Sequence, residues 1–122
     1  MMERWFVALG GLFGCTGVGM AAVAAHGGLL GLDGATIAVV RSGVEMQGWH
    51  ALALVFTGLW VPRGGWLARG AGVAFGVGVL LFAGSLYASA FLGVSAELAP
   101  AGGMLLMGGW LLLAASALRA RG

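Results

Sequence analysis

Three stretches of this chain leave it little choice of solvent. No charged residue occurs from Trp5 to Ala25 or from Pro100 to Leu118, and Leu67 to Leu92 carries Arg69 alone. About 20 such residues in a helix cross ~30 Å of hydrocarbon. In lipid the backbone must satisfy its own hydrogen bonds, which makes each stretch a helix. Composition argues against a water-soluble domain: 8% of the 122 residues are charged, against about a quarter in soluble proteins. The length allows one domain, 1–122.

A fourth stretch is less uniform. Pro62-Arg-Gly-Gly65 reads as a turn, and counting back about 20 residues from Val61 reaches Ser42. Ahead of it, Asp33-Gly-Ala-Thr36 has the form of an N-cap, and Ile37, Val40 and Val44 recur at helical spacing. These features predict a short interfacial helix over 34–43 that kinks near Ser42-Gly43 into the second span. The expected fold is an all-α membrane protein, a four-transmembrane-helix bundle with spans at about 5–26, 42–61, 67–92 and 100–118. Pro100 suits a first helical turn, where its missing N–H would be unpaired anyway. The N-terminal apolar run is longer than the core of a signal peptide and is expected to be retained.

Arginine positions predict the orientation. With four spans, Arg4, Arg63, Arg69, Arg119 and Arg121 share one side, while Arg41 lies on the other with Asp33, Glu45 and Glu97. The positive-inside rule then places both termini in the cytoplasm, and Trp5, Trp60 and Trp66 fall at that boundary as an aromatic belt. The expected location is a bacterial inner membrane. So uneven a split argues against small exporters and channels that insert in both orientations.

The second span holds polar groups that hydrocarbon should exclude. Arg41 and Glu45 are four apart on one helical face and are expected to form an interfacial ion pair. Gln47 and His50 lie on the far side and are expected to point inward, toward Ser85 and Ser89 or toward Tyr87. Together His26, Gln47, His50, Ser85, Tyr87 and Ser89 form the expected polar cluster, in the outer half of the membrane; the inner half offers Thr16 and Thr57. Each buried amide or imidazole needs a partner. Three roles for His50 stay open: a neutral core histidine that fixes helix register, a proton- or solute-handling group, or a haem or metal ligand.

Other motifs are weaker. No metal-ligand spacing accompanies the histidines, Cys15 reads as a small core residue, and neither a nucleophile motif nor a phosphate-binding glycine loop is recognisable. Neither catalytic residues nor metal nor cofactor is expected, and a chain without lysine or a basic cluster is not expected to bind nucleic acid. Gly10 with Gly14, Gly72 with Gly76, and Gly70-Ala74-Gly78 set small residues four apart. That spacing lets helices approach closely in lipid, inside the bundle or at a homo-oligomer interface.

Four motifs then occur in order: Ala22-Val-Ala-Ala-His-Gly27, Gln47-Gly-Trp-His-Ala-Leu-Ala-Leu54, Leu81-Phe-Ala-Gly-Ser-Leu-Tyr87, and Ala99-Pro-Ala-Gly-Gly103 with Gly109-Trp110. From about Ala8 to Leu118 the chain resembles the domain of unknown function 423 family, which includes transmembrane protein 256-like members. The resemblance implies a small inner-membrane protein of about four helices with no established activity, and shared polar positions at His26, Gln47, His50, Ser85, Tyr87 and Pro100. The sequence departs from the family pattern at Glu45, Met46 and Ala83, where glutamine, tyrosine and serine would be expected.

Taken together, these features favour a structural or accessory membrane protein over an enzyme. It would self-associate or dock onto a larger membrane complex, with the lipid bilayer as its surroundings. A small-solute or proton transporter using the polar cluster is the first alternative, and a haem- or quinone-binding module is the second.

Overall fold

The computed structural model describes residues 1–120; Arg121, expected on the cytoplasmic side, lies outside the described residues. The fold is all-helical: α1 is Met2–Ala25, α2 is Gly34–Leu92 and α3 is Ala99–Arg119. All three helices are long and apolar enough to cross a membrane. α2 starts where the sequence places its cap. The Asp33 carboxylate accepts the Thr36 backbone N–H at 2.7 Å, filling one of the unpaired donors of the first turn. That bond holds the Asp33 carboxyl below the usual carboxylate range. Pro100 sits in the first turn of α3.

α2 consists of two arms. Gly65, at φ 62° and ψ −145°, takes a backbone conformation that a Cβ disfavours. It divides the helix into 34–64 and 66–92. In a straight helix Gly43 and Tyr87 would be roughly 65 Å apart. Instead, a Cβ on Gly43 would lie 2.6 Å from the Tyr87 ring, so the arms fold back on one another. Pro62 does not end the first arm. It lies inside the helix, and the reversal comes at Gly65.

The outer helices pack on this hairpin and, among the described residues, not on each other. α1 runs antiparallel to the first arm, with Gly10 against Ala51 and Val55 and with Gly58 against Glu3 and Val7. Phe6 and Leu9 reach across to Gly72 and Gly76 on the second arm. α3 runs antiparallel to the second arm through Gly78 with Leu106, Gly102 with Phe82, and Gly109 beneath the Phe75 ring. Close approach needs glycine at Gly10, where a Cβ would stand 2.7 Å from the Ala51 carbonyl oxygen. Phe75 and Leu54, both fully buried, anchor the core between the arms.

Several expectations are corrected. The first arm is helical without interruption from Gly34, so the helix expected over 34–43 runs on into the second span with no non-helical residue at Ser42-Gly43. Gly43 is glycine because Tyr87 lies on it, and Val40 is already fully buried in the core. Arg41 and Glu45 are both exposed and do not pair; the ion pair among the described residues joins the N-terminal ammonium to Glu3 at 3.0 Å. An exposed pair at this spacing gains only about 0.3–0.5 kcal/mol, too little to fix two long side chains. Gly14 has open space around it, so of the glycines expected to pack, Gly10, Gly72 and Gly76 make contacts and Gly14 does not.

Basic residues gather at the end that holds the Gly65 turn. Arg63 lies 5.7 Å from the Trp60 ring and Arg119 5.8 Å from the Trp66 ring. Glu3 comes to the same end, beside Gly58. Its own backbone N–H, then the N-terminal ammonium and more weakly Arg69, hold its carboxyl below the usual range.

Two substitutions test this packing. Gly10→Ala is expected to lower stability by about 1–3 kcal/mol, because the added methyl meets backbone. Gly14→Ala is expected to leave it unchanged or raise it by a few tenths, through helix propensity. Equilibrium unfolding in mixed detergent micelles measures both. The same assay tests Thr57, which is fully buried with its hydroxyl oxygen unpartnered. Thr57→Val is expected to raise stability by about 1 kcal/mol, because it removes a desolvated polar group without changing the side chain's shape.

Candidate functional site

The uninterrupted first arm changes where the polar residues stand. Gln47 and His50 fall near the middle of that arm, which runs over 34–64. Both are buried, at 4% and 2% exposure. They face different neighbours. Gln47 points to α1 and the second arm, His50 to α3.

Gln47 is held on three sides. Its Nε2 donates to the Phe13 carbonyl at 2.9 Å and to Thr16 Oγ1 at 2.7 Å. The Tyr87 hydroxyl donates to its Oε1 at 2.7 Å. A backbone carbonyl only accepts, so the Phe13 contact fixes which end of the amide is nitrogen. The hydroxyl of Thr16 donates in turn to the Leu12 carbonyl at 3.0 Å. One side chain thus ties α1 to both arms of α2. The sequence placed Thr16 in the opposite half of the membrane. The antiparallel pairing that sets Gly17 beside Gln47 brings it to the same level.

His50 is fixed with equal completeness. Its Nδ1 lies 2.6 Å from the Met46 carbonyl, and its Nε2 lies 2.9 Å from Trp110 Nε1. The carbonyl can only accept and the indole can only donate, so the ring carries its proton on Nδ1 and offers its lone pair at Nε2. A second proton would set one N–H against another. His50 is therefore a neutral imidazole with both nitrogens engaged, and a metal or haem iron would have to displace Trp110 to reach it. The rings of Phe75 and Trp110 enclose it, with centroids 5.6 and 5.8 Å away, and meet edge to face at 5.1 Å. A cavity of about 200 Å³ adjoins this group, lined by Met46, Trp49, Phe82 and Met107 as well as His50 and Trp110.

The remaining expected members do not join. His26 is exposed at the end of α1, and its Nδ1 bonds to the Ala22 carbonyl of its own helix at 3.0 Å. Ser85 and Ser89 are half-buried, and their hydroxyls make no hydrogen bond among the described residues. The partner expected for His50 on the second arm is replaced by Trp110 of α3, and Tyr87 goes to Gln47. Trp110 and Thr16 are the hydrogen-bond partners that the sequence did not select. For Trp110 a signal was present, because an indole N–H at mid-helix in an apolar chain needs an acceptor, and few exist. A further inter-helix bond was also unforeseen: Trp60 Nε1 donates to Ser116 Oγ at 2.9 Å, and that hydroxyl donates to the Leu113 carbonyl.

Comparison with known proteins adds a family and nothing more specific. Residues 20–103 match the family described as Protein of unknown function (DUF423). No curated protein and no solved structure matches the chain.

The His50–Trp110 bond yields a quantitative test. His50→Leu is expected to lower stability in detergent by about 1 kcal/mol, within the range of hydrogen bonds between membrane helices. Trp110→Phe keeps the ring contacts and removes only the donor. A double-mutant cycle of the two should give a coupling of about 0.5–1.5 kcal/mol; additive effects would show that the bond contributes nothing.

Proposed function

The chain belongs to the DUF423 family of proteins of unknown function, and from that premise we propose that it is a structural or accessory protein of a bacterial inner membrane and not an enzyme. In this reading it forms a four-transmembrane-helix bundle with both termini cytoplasmic, and it self-associates or docks onto a larger membrane complex. The reversal at Gly65 supports four crossings. The arginines at the turn end, together with Trp5 and Trp66 exposed there, support a cytoplasmic placement of that end.

One observation carries the proposal. Among the described residues the buried polar side chains are Gln47, His50, Thr57 and Ser116, and all except Thr57 are engaged in hydrogen bonds that join helices. A solute or proton pathway needs polar groups that can exchange partners along its length. Here they are locked to one another in pairs and triplets, which is the arrangement of a scaffold. Meanwhile Leu12, Leu52, Leu59, Leu111 and Trp49 stand exposed, a surface suited to lipid or to another membrane protein.

Native mass spectrometry of gently solubilised membranes tests the reading. The expected result is a homo-oligomer or a complex with another integral membrane protein. A monomer without any co-purifying partner, at every detergent concentration tried, would count decisively against it.

A further inference from the structure

Beside Gln47, between α1 and the second arm of α2, lies a cavity of about 280 Å³. Its walls are apolar, from Phe13, Met20, Val79 and Leu80, except where Thr16, Gln47 and Tyr87 line it. Leu80 is 61% exposed and Gly84 at the rim is also exposed, so the mouth opens on the apolar outer surface.

The hydrogen bonds around this cavity leave it with a one-sided chemistry. Both amide hydrogens of Gln47 are engaged, by the Phe13 carbonyl and Thr16. The hydroxyl hydrogens of Tyr87 and Thr16 are engaged as well, by Gln47 Oε1 and the Leu12 carbonyl. What remains is acceptor capacity: a second lone pair on Gln47 Oε1, one on Thr16 Oγ1 and the oxygen lone pairs of Tyr87. A ligand that brings a donor completes these groups. One that brings only a carbonyl sets acceptor against acceptor. Size narrows the choice further, since an apolar cavity of about 150 Å³ holds benzene. About 280 Å³ therefore suits a substituted ring and is too small for a whole lipid.

We propose that this cavity binds the hydroxyl-bearing aromatic ring of a membrane-dissolved phenol or hydroquinone, the O–H donating to Gln47 Oε1 or to the Tyr87 oxygen. The site discriminates by donor. A quinone, with carbonyls in place of hydroxyls, is excluded by the same lone pairs that hold the reduced form.

The test uses the full chain in lipid nanodiscs, titrated with 4-propylphenol and with its methyl ether 4-propylanisole. Binding is followed by calorimetry against protein-free nanodiscs, which removes simple partition. Saturable binding of the phenol is expected, about tenfold or more tighter than that of the ether, because the ether has the same ring and no donor. Gly84→Leu places a side chain at the cavity rim where an added Cβ meets nothing within 4 Å. It is expected to abolish saturable binding while thermal unfolding of the protein stays unchanged. Equal binding of ether and phenol overturns the proposal, as does undiminished binding by Gly84→Leu or the lack of a saturable component in the parent. An n-alkanol of matching volume that binds as tightly overturns the choice of a ring.

Discussion

Polar side chains in the driest part of a helical bundle must find partners there, and the arrangement of this protein depends on how Gln47 and His50 do so. Both are buried, and an unpaired amide or imidazole there would cost several kcal/mol. Gln47 meets the requirement through α1 and the second arm, and His50 through α3. These two residues, less than one turn apart, thereby set the position of every other helical segment against the first arm. Apolar contacts alone would not do this, because in lipid a leucine gains little by touching a helix instead of an acyl chain.

Close packing makes those bonds reachable. Glycine at Gly10 and Gly58 lets α1 lie against the first arm, and Gly43 lets the Tyr87 ring lie flat enough for its hydroxyl to reach Gln47. On the other side, Gly109 admits Phe75, whose ring in turn walls in His50. The abundance of glycine is thus tied to the polar layer. Small residues bring backbones close, and closeness converts a handful of polar atoms into cross-helix bonds. Gly65 serves a different need, because its positive φ reverses the chain between the arms within a single residue.

The polar layer also explains why a scaffold reading suits this chain better than a conducting one. His50 is held as one tautomer by two partners whose donor and acceptor roles cannot be exchanged. A relay needs the opposite, a group able to pick up a proton on one side and release it on the other. Bis-histidine ligation finds no support in the geometry either, since His26 is exposed and bound to its own helix while His50 is buried and fully engaged.

The sequence by itself determined the all-helical class, the ends of α1 and α3 to within a few residues, the Asp33 cap, Pro100 in a first turn, and the fact that Gln47 and His50 needed partners. Each of these follows from local chemistry: runs of apolar residues, a side chain bonding its own backbone, or the cost of desolvating a polar group. Only the tertiary structure decided which partners were taken. Thr16 meets Gln47 because antiparallel packing brings their levels together, and Trp110 meets His50 across 60 positions of sequence. The unbroken course of the first arm was not legible for the same reason. A length rule counts residues back from a turn, whereas Val40 and Gly43 are packed against neighbours that no local window contains.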